Sequence, residues 1–157
     1  IQSTLLQTHF TVSVTANTNT EVTNLNVNIT PSSSSSKILL FGRLFCEAST
    51  TDAQNSGVFF LRDSTKINAH NVSDAGSRNN MLQSLPSNYT SQDANSTPET
   101  FGFFTLDSPS SSSQINYKIG YLNAQNCTLN VNRTTHSTNS AAYEAGSSEI
   151  IAMEIGG

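Results

Sequence analysis

The chain predicts an all-β protein: an antiparallel β-sandwich of eight to ten strands with jelly-roll-like connectivity. Three observations carry this expectation. Apolar and polar residues alternate through several short runs, which is the period of a strand with one buried face. The polar residues are hydroxyls and amides rather than charges, with 62 Ser, Thr and Asn against 18 charged residues. Thr suits strands, while Ser and Asn suit turns. No stretch sustains the 3.6-residue period of a long amphipathic helix.

The elements follow in order. Phe10-Thr11-Val12-Ser13-Val14-Thr15 alternates, and Asn17 to Thr20 reads as the turn after it. Thr23 to Thr30 places Leu25, Val27 and Ile29 on one face and Asn24, Asn26 and Asn28 on the other. Pro31 and the serines Ser32 to Ser36 come next, then the apolar run Ile38 to Cys46. Taken alone, five serines read as a linker. Between two strands they read as a connection, with Pro fixing φ and the hydroxyls satisfying the turn's backbone. Val58 to Leu61 is the next strand, and Arg62 to Lys66 a tight hairpin to a short strand near Ile67. Asn68 to Thr100 is irregular, anchored by Met81, Leu82 and Leu85, with one short strand or turn there. Phe101 to Leu106 resumes the strands. Pro109 with Ser110 to Ser113 repeats the proline–serine design before Ile115 to Leu122. Leu122 to Asn126 separates that strand from Cys127 to Val131, and Gly146-Ser147-Ser148 forms a third polar turn before Ile150 to Ile155.

Four of these runs are apolar on both faces: Ile38 to Cys46, Gly57 to Leu61, Phe101 to Leu106 and Ile150 to Ile155. Such strands are expected to meet a second layer or another subunit. This number of strands closes naturally as a Greek key or jelly roll, a TNF/C1q-like order among the forms considered. Residues 1–157 read as one domain. The chain opens with Ile1 rather than Met, so it reads as a processed or C-terminal piece of something longer.

Composition argues against several functions. Net charge is −4, and the three Lys and four Arg are scattered, so no phosphate-tracking stripe is present and nucleic acid is not an expected partner. No apolar run approaches the ~20 residues that span a bilayer, so membrane insertion is not expected. Cys46 and Cys127 are too few for a four-ligand zinc site. Free buried thiols and a disulfide both remain open for them. His9, His70 and His136 have no metal-ligand spacing, and neither a Gly-x-Ser-x-Gly elbow nor an acidic calcium loop occurs. Glu144, Glu149 and Glu154 surround the last strand. Glycoside hydrolysis needs two acids across a cleft with aromatic platforms, and Trp is absent, leaving Tyr89, Tyr121 and Tyr143 as substitutes. Six Asn-x-Ser/Thr sequons occur, against about five expected by chance from this composition. The expectation is therefore a non-enzymatic chain without metal or cofactor. Long ordered loops in compact domains are often functional. Asn88, Tyr89, Asp93 and Asn95 in the irregular stretch, with Tyr143 nearer the C-terminus, are the candidate partner- or receptor-binding residues.

The order of several short units completes the reading. These are Asn24 to Ser33, Ser36-Lys37-Ile38-Leu39, Leu61 to Thr65, Leu106 to Ser110, Asn116-Tyr117-Lys118, Asn130 to Arg133 and Ser148 to Ile155. Together they resemble the C-terminal β-domains of tail-fibre or virion structural proteins of marine and cyanobacterial tailed phages. The resemblance runs from about Ser3 to the end. Its most specific parts are Ile29-Thr30-Pro31-Ser32-Ser33 with Ser36 to Leu39, and the terminal Ala152-Met153-Glu154-Ile155. It departs most between Met81 and Thr100, and it brings no assigned functional residues. It implies a virion-surface domain, a fibre or spike tip for host attachment, assembled as a homotrimer. Its partners would be other virion proteins or a host-surface glycan. Capsid decoration is the alternative within this class. A glycan-degrading or esterase domain on a fibre is the alternative of another class, and a secreted carbohydrate-binding domain a third.

Overall fold

The computed structural model describes residues 1–49, 55–67, 71–84, 96 and 98–156. They form β1 (Gln2–Leu6), β2 (Phe10–Val14), β3 (Thr20–Ile29), β4 (Lys37–Ala48), β5 (Ser56–Arg62), β6 (Thr65–Lys66), β7 (Gln83–Ser84), β8 (Glu99–Asp107), β9 (Ile115–Asn123), β10 (Cys127–Val131) and β11 (Ser148–Ile155). Among the described residues there is no α-helix. All strand pairs are antiparallel and sort into two sheets, the predicted all-β sandwich. Sheet I holds β1, β2, β4, β8, β10 and β11, and sheet II holds β3, β5, β6, β7 and β9.

The eleven strands exceed the eight to ten expected because two long strands are each interrupted. β11 lies along β4 from Lys37 to Arg43, and β10 continues along the same edge from Cys46 to Ala48. β1 and β2 follow them on the outside. Counting each interrupted pair once leaves nine. Pairing is nested: β1 and β2 with β11 and β10, β3 with β9, β4 with β8, and β5 with β6 and β7.

Both serine runs cross between the sheets. Ser32 to Ser36 carries β3 of sheet II into β4 of sheet I, and Pro109 to Ser113 returns β8 of sheet I to β9 of sheet II. The hydroxyls act locally: Ser35 N–H donates to Ser33 Oγ at 3.2 Å, and Ser113 N–H to Ser111 Oγ at 3.0 Å. The first run is also tied to the last strand, since Ser32 donates both its N–H and its hydroxyl to Glu154 Oε1 at 2.6 Å. Chiefly through the Ser32 hydroxyl, these bonds hold the Glu154 carboxyl below its ordinary range.

Alternation is converted into a core between the sheets. Leu25, Ile38, Leu40, Leu44, Ile119, Leu129 and Ile150 are fully buried, and Phe60 of sheet II meets Phe103 of sheet I with ring centroids 4.8 Å apart. Full burial of such a side chain contributes about 1.5–3 kcal/mol. In β3 the period of two is broken once. Val22 and Leu25 both face inward because a bulge lies between Glu21 and Asn26, with Asn24 at φ 67°. Asn tolerates this left-handed conformation better than most residues do. At the opposite end of the core, buried Asp107 accepts from the Tyr117 hydroxyl at 2.7 Å and pairs with Arg62 at 3.3 Å.

β5 is apolar on both faces, and its own chain covers the second one. Phe59, Leu61 and Leu122 form a small cluster on the outer side of sheet II under Met81. Leu82 N–H donates to Val58 O at 2.9 Å, and Lys66 Nζ lies 4.8 Å from the Phe59 ring centroid. Glycines permit the close approach: a Cβ on Gly120 would stand 2.2 Å from Phe59 Cε2. The rest of this surface is polar, with Asn116 donating to Asn26 and Asn28, and Lys118 paired with Glu21 at 2.7 Å.

Two expectations follow from this packing. Gly120→Ala overpacks the Phe59 cluster and should cost about 1–3 kcal/mol, read by urea unfolding. For Glu154 the folded-state pKa lies below the unfolded value, so its contribution is complete above the ordinary carboxyl range of about 4.3 and is lost as pH falls through the folded value. The stability gap between wild type and Glu154→Gln should be constant near neutrality and should close in acid.

Candidate functional site

The interruption between β10 and β11 builds the most distinctive local structure. Val131 faces Cys46 and Glu149 faces Arg43, so eighteen steps along one strand match three along the other. The extra chain rises as a short finger. Arg133 and Ala145 bridge across its base, Thr134 N–H donates to Glu144 O at 3.2 Å, and Tyr143 N–H closes a turn on Ser140 O. This corrects the reading of Gly146 to Ser148 as a simple polar turn: these residues return an insertion to its strand, and Ser148 opens β11.

Asn132 fastens the finger to the sheet. It adopts φ 68°, and its Nδ2 donates to Leu6 O at 2.9 Å and Thr8 O at 3.0 Å, bridging the break between β1 and β2. Its Oδ1 accepts from the Ser148 hydroxyl at 2.7 Å, and that hydroxyl oxygen accepts from Phe45 N–H at 3.0 Å. Asn132 and Ser148 are both buried. Such a network is stabilising only when each member is satisfied, which these bonds achieve. The finger then lies over part of the outer face of sheet I. Gly146 sits on the Phe45 ring, where a Cβ would be 2.6 Å away. Thr135 N–H donates to buried Glu47 Oε2.

The remainder of that outer face is open. Cross-strand register sets Leu106, Leu39 and Met153 in one row, and Phe104, Phe41 and Ile151 in the next. Phe104 is 67% exposed and Phe41 39%, with ring centroids 6.2 Å apart. Three of the four runs apolar on both faces, in β4, β8 and β11, therefore stand side by side on a surface that, among the described residues, the finger covers at one end.

Of the candidate binding residues, Asn88, Tyr89, Asp93 and Asn95 lie outside the described residues. Tyr143 lies on the finger, half-buried and stacked on His136 with centroids 4.0 Å apart. His136 is thus engaged rather than free in solvent, and its Nδ1 accepts from Thr138 N–H at 3.2 Å. His9 is exposed, as its phase against Phe10 predicted. Asn132, Ser148 and Glu47 were not candidates, because nothing in the local pattern marks an insertion inside a strand.

Among the described residues, no group of three His, Cys, Asp or Glu could hold a metal. Glu144 is bonded to Ser96, Glu154 to Ser32 and Glu47 to the finger backbone. Cys46 and Cys127 are free thiols. Cys46 faces Val131, four residues beyond Cys127 on the same strand, which is too far along it for a disulfide. Burial pushes the Cys127 thiol up to about 11 and Cys46 higher still. An open cleft of about 370 Å³ on the flank of sheet II is lined, among the described residues, by Asn55, Ser56, Ser77, Arg78 and neighbouring residues, none of them an acid or histidine.

The two ends of the sandwich differ. Ile1, both serine runs, the Asp63–Ser64 turn and Ile155 gather at one end. The β2–β3 turn, the end of β4, the start of β5, the β9–β10 connection and the entry into β8 lie at the other, and Glu144 of the finger reaches Ser96 there. No protein-family model matches the chain, and comparison with curated proteins finds no match.

Asn132→Ala removes three side-chain bonds at a left-handed backbone position and strands the buried Ser148 hydroxyl. It should destabilise the fold by about 2–4 kcal/mol in chemical denaturation. Asn132→Gly keeps the conformation and should isolate the hydrogen-bond share.

Proposed function

We propose that this chain is a non-enzymatic structural module of a virion surface, the tip or knob of a fibre or spike that attaches to a host. The observation that carries the reading is the polarity of the sandwich. Ile1, Ile155 and both serine crossings share one end, and the finger reaches toward the other, where β3, β5, β8 and β10 begin. A β-sandwich held by nested pairing is a stiff platform, and loops on a stiff platform are where recognition residues are usually found. The nested order also supports the jelly-roll description, the architecture of many capsid and lectin domains. The resemblance of the serine–strand units to tailed-phage fibre domains supplies the virion setting.

The stacked His136–Tyr143 pair is the aromatic surface this end offers a glycan or a protein partner. The acids and histidines near it are committed to hydrogen bonds and ring contacts within the fold, which supports binding over catalysis.

Antibodies raised against the purified domain should label the outside of intact particles and block their adsorption to cells. His136→Ala/Tyr143→Ala should reduce cell binding by the purified chain several-fold with a similar thermal melt. Antibodies that bind only disrupted particles would contradict the surface reading. Unchanged cell binding by the double variant would remove the finger from it.

A further inference from the structure

The cleft on the flank of sheet II lies on the opposite face of the sandwich from the finger. Asn55 and Ala124 bound it where β5 begins and β9 ends, and Ser77, Arg78, Asn79 and Met81 line it with them. At about 370 Å³ it falls at the small end of the roughly 300–1,000 Å³ of small-molecule clefts.

We propose that this cleft binds a carboxylate-bearing saccharide. Arg78 takes the carboxylate, and the amides and hydroxyls around it take the ring hydroxyls.

Arg78 is the one charged residue among the described lining. A tight turn sets its place. Arg78 N–H donates to Ala75 O at 3.2 Å, and Gly76 takes φ 64°, a conformation that glycine adopts freely. Arg78 Nη1 donates to the same carbonyl at 3.3 Å, which folds the guanidinium back on its own turn. Among the described residues its Nε and Nη2 have no partner. Those two nitrogens form a fork that matches a carboxylate, which accepts one bond on each oxygen. The rest of the segment is fastened as well. Asn79 Nδ2 donates to Asn17 Oδ1 at 2.9 Å, and Asn80 Oδ1 accepts from Val72 N–H at 2.9 Å. A segment held in this way has less freedom left to lose when a ligand enters.

The remaining lining selects the class of ligand. Asn55, Ser77 and Asn79 offer neutral donors and acceptors, the counterparts of sugar hydroxyls. Met81 supplies apolar surface for the C–H face of a ring. It is packed so closely on β5 that a Cβ on Gly57 would stand 2.2 Å from its Sδ. A nucleic acid is held by several cations, and this lining offers one. A neutral sugar would leave the guanidinium fork unused. The attachment reading enters only as the place where such a saccharide would be met, a host surface.

NMR titration of the isotope-labelled full chain with trigalacturonate tests the inference. Wild type should show saturable shifts of the Ser77, Arg78 and Asn79 amides and of Arg78 Nε–H at millimolar ligand. The methyl ester of the same trisaccharide keeps the rings and caps the carboxylates, so it should bind roughly tenfold more weakly or worse. Acetate, a carboxylate without a ring, should do the same. Arg78→Gln should lose a similar factor, with a spectrum unchanged outside its own segment, because Arg78 is exposed. Arg43→Gln, an exposed cation on sheet I, should match wild type. The absence of saturable shifts overturns the inference, as does equal binding of the methyl ester or of acetate. Equal losses from Arg78→Gln and Arg43→Gln would show attraction by overall charge and overturn it too. The titration uses no cells, so its failure would leave the attachment reading standing. Unchanged cell binding by His136→Ala/Tyr143→Ala would leave this site standing.

Discussion

Pairing on both edges of β4 is the constraint from which the rest of this structure follows. Its twelve residues take β8 along one edge, and β11 and then β10 along the other. Its inward side chains, Ile38, Leu40, Leu44 and Cys46, are buried between the sheets. Because strand side chains alternate faces, the same register fixes Leu39, Phe41, Arg43 and Phe45 on the outside. A one-residue slip of β4 would exchange the two sets, burying Arg43 and exposing Leu40. The core and the outer surface of sheet I are thus two consequences of one pairing.

That outer surface is divided by the finger. Asn132 makes the division stable by satisfying the carbonyls of Leu6 and Thr8 where β1 and β2 separate. Buried polar groups are tolerated only when paired. The insertion into the last strand therefore needs a residue that accepts a left-handed backbone and also carries both a donor and an acceptor. Asn meets both needs, as Asn24 meets the first at the β3 bulge. Sheet II solves the equivalent problem with Met81, using glycines to let the cover approach.

Much of the fold was legible because period-two patterning and turn chemistry agree. Leu25, Val27 and Ile29 alternate in the sequence and are buried together in the sandwich, and Asp63-Ser64 forms the tight turn read from Arg62 to Lys66. The serine runs were legible as connections; that each crosses between sheets was not, because crossing depends on which strands pair. The finger was illegible for the same reason. Residues 132–147 look like any polar stretch until Glu149 is found opposite Arg43. Of the candidate binding residues, Tyr143 gains a ring partner in His136, seven residues away, a contact that composition and spacing do not encode. The runs apolar on both faces did carry a usable signal, but they did not distinguish β5, covered by its own chain, from β4, β8 and β11.

Hydroxyl-radical footprinting of dilute protein tests this division of the outer face most directly. The account predicts that Phe104 is readily oxidised, while Phe45, under Gly146, is protected. Equal oxidation of the two rings would contradict it.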